Sequence, residues 1–333
     1  MVVLVVGGAG YIGSHTAHAL RSKGHEVIIY DNLSTGHASL ASGFELVVGN
    51  AADSSKLRKI LPRVDAVMHF AACAYVGESV VHPRKYFENN VRSGLALLHA
   101  VLDSPVRRFV FSSSCAVYGI PESLPITERS PRFPVNPYGA SKLALENALE
   151  AYDRAYGLHF VAFRYFNAAG ADERGRVGEL HFPETHLIPC AFEALAGVRD
   201  CVEIYGNDYP TDDGTCVRDY VHVSDLAEAH VLGLEYLERC ESVELNLGTG
   251  RGHSVKEVIA AIERVTGRAV PTQLGVKRPG DPTELVADPR LAEDLLHWTA
   301  RRSLDEIVST AWRWQQKSAG AVRKLSEQER IPA

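Results

Sequence analysis

Tyr138 and Lys142 stand four residues apart in Asn136-Pro137-Tyr138-Gly139-Ala140-Ser141-Lys142. Asn136 suits an N-cap and Pro137 the first turn, so a helix is predicted to begin here. Residues four apart on a helix share one face, about 5–6 Å from each other. A free tyrosine has a pKa near about 10, so only about one in a thousand is ionised at pH 7. A neighbouring ammonium favours the phenolate, and a drop of about three units corresponds to roughly 4 kcal/mol. Such a phenolate can take the proton of a hydroxyl while its carbon gives up hydride. Ser114 closes Ser112-Ser113-Ser114, at the carboxyl end of a predicted parallel strand, where ligands of such sheets bind. Its hydroxyl can hold the substrate oxygen in line with Tyr138, which makes Ser114, Tyr138 and Lys142 the candidate catalytic group. Y-x-x-x-K alone occurs on many helices by chance, and serines after a strand often only cap a helix. The reading rests on their joint occurrence behind a nucleotide turn.

A hydride needs an acceptor, and the first residues supply a place for one. Gly7-Gly8-Ala9-Gly10-Tyr11-Ile12-Gly13 follows the first predicted strand directly and opens the first helix. It fits both G-x-G-x-x-G and the wider G-x-x-G-x-x-G. The glycines allow a tight turn, close approach of a pyrophosphate and close packing of helix on strand. The helix N-terminus adds free N–H groups and partial positive charge. The second predicted strand ends Ile29-Tyr30-Asp31-Asn32, with Asp31 eighteen residues beyond Gly13. A carboxylate there accepts both adenosine ribose hydroxyls and repels a 2′-phosphate. No arginine sits immediately beside it, so NAD is expected rather than NADP. The oxidised nicotinamide would add a second positive charge near Tyr138. His15 and His18 lie three apart on the first helix without a third ligand, and no metal is expected.

The elements that must position these groups follow from periodicity. Val2–Val6, Glu26–Tyr30, Phe44–Val48, Ala66–Phe70, Arg108–Ser112 and Phe160–Tyr165 are nearly continuous apolar runs, as in parallel strands buried on both faces. Helical patterns lie between them near Ile12–Lys23, Ser55–Leu61, Tyr86–Leu102 and Tyr138–Tyr156. Strict alternation predicts a Rossmann-type doubly wound parallel sheet over residues 1–170. After Asn167 the pattern loosens: Ala168–Gly178 and Asn207–Gly214 read as loops. Val221–Tyr236 reads as a strand end entering a helix capped by Ser224 or Asp225, and Ser254–Thr266 as a second helix. A smaller C-terminal α/β lobe over 171–333 is expected, its loops gripping a ligand, with the chain returning to the first domain near 217–240. The charged tail from Ser318 is expected to fray.

Composition bounds the partners. The 333 residues are 46% hydrophobic and 23% charged, with a net charge of −6. No general basic field attracts nucleic acid or an anionic membrane, so phosphate binding must come from placed backbone groups and single arginines. Met1–Gly8 lacks a basic n-region and cleavage site, so no signal peptide is expected. Six cysteines without C-x-x-C spacing fit reduced thiols and a cytoplasmic protein.

Taken together these features resemble the extended short-chain dehydrogenase/reductase family and, within it, the UDP-glucose 4-epimerases. The resemblance is carried by Gly7–His15, Tyr30–Gly36, His69–Ser79, Phe111–Gly119, Asn136–Lys142 and Arg164–Gly170. It continues through Pro183–Pro189 (Pro-Glu-Thr-His-Leu-Ile-Pro), Ile204–Asp225 and Arg278–Asp281, which are the stretches closest to the epimerases. It implies C4 epimerisation of a UDP-hexose through a transient 4-keto sugar, with NAD regenerated each cycle. It implies that Gly7, Gly10, Tyr11, Ile12, Gly13, Asp31, Asn32, Asn50, Ala51, Phe70, Ala71, Ala72, Asn90, Tyr138, Lys142 and Tyr165 hold the cofactor. The UDP-sugar would lie against Ser114, Tyr138, Asn167, His186, Leu187, Tyr205, Arg218, Tyr220, Arg278, Asp281 and Leu285. A homodimer is implied, pairing the helices over Tyr86–Leu102 and Tyr138–Tyr156.

The chain departs from the family at three places. Asn50 stands where an aspartate often meets adenine, and its carbonyl can still accept from the adenine amine. Ala74 replaces a lysine that some relatives use on the cofactor. Leu285 occupies the position that sets pocket size, intermediate between an aromatic that excludes N-acetyl sugars and a small residue that admits them. UDP-N-acetylhexosamine, UDP-glucuronate and UDP-pentose therefore remain alternative substrates. A 4,6-dehydratase would need a carboxylate beside the catalytic hydroxyl, where this chain has Ser114-Cys115-Ala116. A non-catalytic NAD-sensing regulator would not need Tyr138, Lys142 and a full UDP-sugar lobe.

Overall fold

The computed structural model describes residues 1–278 and 280–328, with side chains as far as Ser318. Thirteen strands are present among them: β1 Val2–Val6, β2 Glu26–Asp31, β3 Glu45–Val48, β4 Ala66–His69, β5 Arg108–Ser112, β6 His159–Tyr165, β7 Asn167–Ala169, β8 Val202–Tyr205, β9 Val217–His222, β10 Val243–Leu247, β11 Gly252–Ser254, β12 Thr272–Gly275 and β13 Glu284–Leu285. The α-helices are α1 Tyr11–Ser22, α2 Ser54–Ile60, α3 Val76–Val81, α4 Pro83–Tyr86, α5 Ser93–Leu102, α6 Pro137–Tyr156, α7 Leu187–Leu195, α8 Val223–Tyr236, α9 Val255–Thr266, α10 Arg290–Leu296 and α11 Leu304–Gln328.

Seven strands form one wholly parallel sheet in the order β10-β6-β5-β4-β1-β2-β3. Alternate residues of the inner strands enter two different cores, which is why their runs are mostly apolar. Val3 and Val5 pack with Ala17 and Leu20 of α1, Leu226 and Leu234 of α8, and Leu296 of α10. Leu4 and Val6 face the other way, with Leu57 of α2, Leu97 and Leu98 of α5, and Leu145 and Leu149 of α6. The strand order reverses between β1 and β4, which opens a crevice at their carboxyl ends.

The smaller lobe has its own core, built from Ile188, Phe192, Val258, Ile262, Ile307 and Val308. Its sheet runs β11-β9-β13, with β7 also paired to β9, and β8 pairs with β12. The chain re-enters the first lobe through α8 and then through β10, which pairs with β6, so the return extends to Leu247, past residue 240. The tail from Ser318 continues α11 to Gln328, and residues 329–333 lie outside the described residues. Among the described residues no helix is long and apolar enough to cross a membrane. All six cysteines are free.

Two local expectations are corrected. The helix predicted over Tyr86–Leu102 is interrupted, because Phe87–Arg92 winds as a π-helix between α4 and α5. Asn90 in that stretch is held by Cys73 and Ser141, and such local widening is common beside functional sites. The cap of α8 is His222, whose ring accepts from the Ser224 N–H at 3.0 Å. Asp225 is buried instead, where it pairs with Arg302 and receives the Arg301 and Arg302 N–H groups.

One buried ion pair ties α6 to the sheet. Arg164 of β6 donates from Nε to Glu146 Oε1 at 3.0 Å and from Nη2 to Oε2 at 2.8 Å. Arg164 is 2% exposed and Glu146 fully buried. Ser113 Oγ donates to the same carboxylate at 2.5 Å, and Arg164 Nη1 reaches Tyr118 Oη at 3.1 Å. Removing one partner of a buried pair strands the other charge, at about 3–5 kcal/mol. Glu146→Gln is therefore predicted to lower the unfolding free energy by about 3–5 kcal/mol in urea titrations. A loss below about 1 kcal/mol would show that the guanidinium finds other partners.

Candidate active site

The cofactor turn is shaped by what its backbone must approach. Gly7 adopts φ +82°, and a Cβ there would lie 2.4 Å from Ala71 N, so only glycine fits against the turn after β4. The first turn of α1 has no side-chain cap and no acidic residue, which leaves its N–H groups and partial positive charge free for a diphosphate. Asp31 is buried at the end of β2, where Oδ2 accepts the Ala9 N–H at 3.0 Å and Oδ1 that of Leu33 at 2.8 Å. Burial pushes its carboxyl up, with those two N–H groups and His37 opposing. Asp31, Asn32, Asn50, Ala51 and Ala71 line one cleft, together with Val6, Tyr30, Gly49, Asn89 and Ser93. This is the shape and donor set that an adenosine needs.

Several expected cofactor residues have more specific places. Asn50 Oδ1 accepts the Ala52 N–H at 2.8 Å, which leaves acceptor capacity on the same oxygen. Phe70 and Ala71 both donate their N–H groups to Val6 O, which sets the turn against Gly7. Ile12 packs against the first core beside Phe70, and Ala72 lies on the same turn. Asn90 spends its side chain on Cys73 and Ser141, so it positions the loop after β4 against α6. Gly10 is the N-cap of α1 and Gly13 packs onto Gly7. Tyr11 Oη donates to Gly170 O at 2.6 Å, joining the glycine turn to the loop that leaves β7.

The catalytic candidates come together at the carboxyl ends of β5 and β6. Asn136 caps α6 by accepting the Gly139 N–H at 2.9 Å, with Pro137 in the first turn. A Cβ on Gly139 would lie 2.4 Å from Ala116 O, so glycine lets α6 start hard against the Ser114–Ala116 turn. Lys142 Nζ donates to Ser112 O at 2.7 Å and lies 5.8 Å from the Tyr138 ring centroid and 5.1 Å from that of Phe111. Tyr165 Oη is hydrogen-bonded to Ser112 Oγ just behind.

The charge states differ from those expected from spacing. Burial pushes the Tyr138 phenol up to about 12, although its hydrogen bond with Ser114 pulls the other way. Burial pushes the Lys142 ammonium down to about 7, with Glu146 partly offsetting it. Lys142 thus does not by itself lower Tyr138, because both are desolvated and its ammonium is directed at a carbonyl. Cys115 is buried with Val117, Tyr118, Ile126, Phe166 and Ala287, and burial pushes its thiol up to about 12. That is small-residue packing.

Opposite this group, the smaller lobe places the expected substrate residues around β9. Arg218 Nη2 donates to Asp281 Oδ1 at 2.6 Å, and Nη1 to Val217 O at 2.7 Å. Arg278 stacks on Tyr205, 3.7 Å from its ring centroid. Both arginines act on the Tyr209 phenol and the Cys216 thiol, so they converge on one place. Asn167 pairs in register with Tyr220, and Leu285 with Arg218. Leu285 packs against the Cys115 cluster, next to Ser114. Leu187 starts α7 against the core of the lobe.

His186 is placed differently from the other substrate candidates. Its Nδ1 lies 2.5 Å from Glu179 Oε1 and 3.5 Å from Glu184 Oε1, and His181 stands beside it. Burial opposes ionisation of Glu179, but the imidazoles of His186 and His181 hold it well below the usual carboxylate range. Burial and then the Glu179 charge push Glu184 up to about 7. Sequence reasoning missed this cluster, and it missed Arg164, Glu146 and Tyr209. Arg164 lay within a matching stretch, and an arginine in an otherwise apolar strand is itself a signal.

Comparison with known proteins agrees with this geometry. Residues 3–248 match the NAD dependent epimerase/dehydratase family. A UDP-glucose 4-epimerase of Rhizobium leguminosarum bv. trifolii is 48% identical over 319 residues, covering 95% of this chain and 98% of that one. The UDP-glucose 4-epimerase of Brucella ovis in complex with NAD superposes with a TM-score of 0.91 at 51% identity, covering 94% of this chain and 97% of that one. That of Bifidobacterium longum in complex with NAD+ and UDP gives 0.92 at 38% identity, covering 96% and 99%. With an uncapped α1 facing a glycine turn, a buried Asp31 and Tyr138 beside Ser114, the chain belongs to the NAD dependent epimerase/dehydratase family and, within it, to the UDP-glucose 4-epimerases.

Proposed function

We infer that this chain interconverts UDP-glucose and UDP-galactose by inverting C4 of the hexose, with NAD held in the crevice of the large sheet. The observation that supports this reading is the meeting of Tyr138, Ser114 and Lys142 past the carboxyl end of β5, with Leu285, the strand partner of Arg218, packed against the neighbouring Cys115. Residues 1–170 with the returning α8 and β10 would hold the cofactor, and the rest of 171–333 the UDP-sugar. The oxidised nicotinamide, when bound, supplies a hydride acceptor and a positive charge. Ser114 holds the C4 oxygen, and Tyr138 takes its proton as the C4–H bond breaks. Arg218 and Arg278 grip the diphosphate by charge-assisted hydrogen bonds while the 4-keto sugar turns. Tyr138 then returns the proton once hydride has come back to the other face. With a value near 7, Lys142 can take up the phenol's proton before the step, and the phenolate so formed is the base that accepts the proton of the C4 hydroxyl.

The supporting details extend to assembly and substrate range. We infer a homodimer through α5 with the π-helical turn before it and through α6, since Phe87 in that turn and Tyr156 on α6 are exposed to 45% and 60%. A reduced cytoplasmic setting suits six free cysteines. Leu285 stands at the wall of the sugar pocket, against the shelf that carries Ser114.

Three outcomes are predicted. Tyr138→Phe should still bind UDP but lose about 10²–10⁴ in kcat on UDP-galactose, as a missing acid/base does. Turnover within tenfold of the parent would contradict the assigned base, and a parent that does not convert UDP-galactose to UDP-glucose would reject the substrate. Second, a positive ring beside a desolvated phenol stabilises the phenolate. Tyrosinate absorbance in the NAD+ form should therefore rise at a pH lower by about one unit or more than in the NADH form, corresponding to about 1.4 kcal/mol. Identical titration curves, or a difference that persists in Tyr138→Phe, would count against it. Third, Leu285→Ala should raise kcat/KM for UDP-N-acetylglucosamine relative to UDP-glucose by about 10–200-fold, the range set by a few methylenes. An unchanged ratio would place the size limit elsewhere.

A further inference from the structure

The segment between the glycine-rich loop and α7 carries four potential ligands that the C4 chemistry does not require as a set: Glu179, His181, Glu184 and His186, in the pattern E-x-H-x-x-E-x-H. We propose that these four side chains bind one divalent transition-metal ion of the zinc class, which closes the 179–186 segment beneath the cofactor turn. The site is structural and takes no part in hydride or proton transfer.

Geometry is the first argument. One donor atom from each residue lies within 4.8 Å of the other three. Glu179 Oε1 is 3.0 Å from His181 Nδ1 and 2.5 Å from His186 Nδ1, and Glu184 Oε1 is 3.5 Å from His186 Nδ1. Ligands at about 2.0–2.2 Å from a tetrahedral zinc ion stand roughly 3.4 Å apart, so small side-chain adjustments suffice. His181 Nδ1 is buried and makes no hydrogen bond, although Glu179 Oε1 is close by.

Charge is the second argument. The Glu179 and Glu184 side chains are 9% and 5% exposed, and among the described residues no lysine or arginine pairs with either. Buried carboxylates need a counter-charge, which in the metal-free chain only the imidazoles of His181 and His186 offer. A dication supplies both charges at once and leaves the imidazoles neutral. Two imidazoles with two carboxylates suit zinc, cobalt or nickel, whereas magnesium and calcium prefer oxygen alone.

The surroundings hold the ligands in place. Glu184 Oε1 accepts the N–H groups of Thr185 and His186 at 2.7 and 2.9 Å, and Trp314 Nε1 donates to Glu179 O at 2.8 Å. His181 stands edge-on to Tyr11 and Tyr75, with centroids 6.3 and 5.9 Å away. The His186 side chain is 46% exposed and gives an ion a way in. Because Tyr11 belongs to the glycine turn, an ion here would brace that turn from the substrate lobe.

The test uses full-length, tag-free holoenzyme stripped with EDTA and freed of chelator. Zinc or cobalt chloride is then added. One equivalent per chain is expected, with cobalt giving the intense visible bands of a four-coordinate site, and with a higher Tm. His181→Ala and Glu179→Gln should each weaken zinc binding by at least about 100-fold. X-ray absorption of zinc-loaded parent protein should show two imidazoles with oxygen donors and no sulfur, and this needs no variant. Failure of the parent to bind close to one equivalent, sulfur donors in the spectrum, or unchanged affinity in folded variants would overturn the proposal. None of these readings depends on which sugar nucleotide the enzyme converts.

Discussion

The Arg164–Glu146 pair is the constraint on which the arrangement of the site rests. It lies under the middle of α6, where Ser113 joins it from the end of β5. Both neighbouring residues proposed to do chemistry inherit their places from it. Ser114 follows Ser113 directly, and Lys142 sits one turn before Glu146 on the same helix. The charge of Glu146 also reaches Lys142 and partly restores the proton affinity that burial removes. A buried pair of this kind is weak as a source of net stability. Its value here is positional, because a helix that slid by one turn would break two parallel N–H···O bonds and Ser113's as well.

From that anchor the chemistry is organised by desolvation rather than by a simple pair of adjacent charges. Tyr138 and Lys142 are both pushed toward neutrality by burial, in opposite directions on the pH scale. A site built this way is quiet until a cation arrives in the crevice, and it responds strongly because the surroundings screen little. The neighbouring hydroxyls of Ser112 and Tyr165, bonded to each other, extend the polar strip without adding charge. Cys115 and Leu285 close it on the apolar side, so the strip has a polar edge and an aliphatic wall.

Much of this was legible in the sequence, for identifiable reasons. Strands β1 to β6 declared themselves because parallel strands covered on both faces read as nearly continuous apolar runs. The glycine turn, Asp31 and the Tyr138–Lys142 spacing were legible because each is a local pattern whose geometry is fixed by a strand or a helix. What escaped was non-local. Strand β10 reads Val-Glu-Leu-Asn-Leu, and only tertiary contacts explain its polar members: Asn246 is buried between Ile126 O and the Tyr118 hydroxyl. The π-helical turn at Phe87–Arg92 depends on Asn90 reaching Cys73 and Ser141. Arg164 and Glu146 are eighteen residues apart, on a strand and a helix that only the fold brings together. The upward push of burial on Tyr138 also escaped, because spacing reports proximity and says nothing of burial.

The order of strands in the large sheet has a consequence for how the chain comes to be made. Its outermost strand, β10, is encoded after nearly three quarters of the residues, with the substrate lobe's loops and β9 in between. A nascent chain that has emerged only through Gly170 would present β6 with a row of unpaired N–H and C=O groups. It would also lack α8, so Ala17 and Leu20 of α1 would have no cover. The nucleotide-binding half therefore cannot mature ahead of the other half. Synthesis to Leu247 supplies the missing edge strand, with Leu296 of α10 completing the core later, and until β10 emerges that edge is an invitation to pair with a second nascent chain.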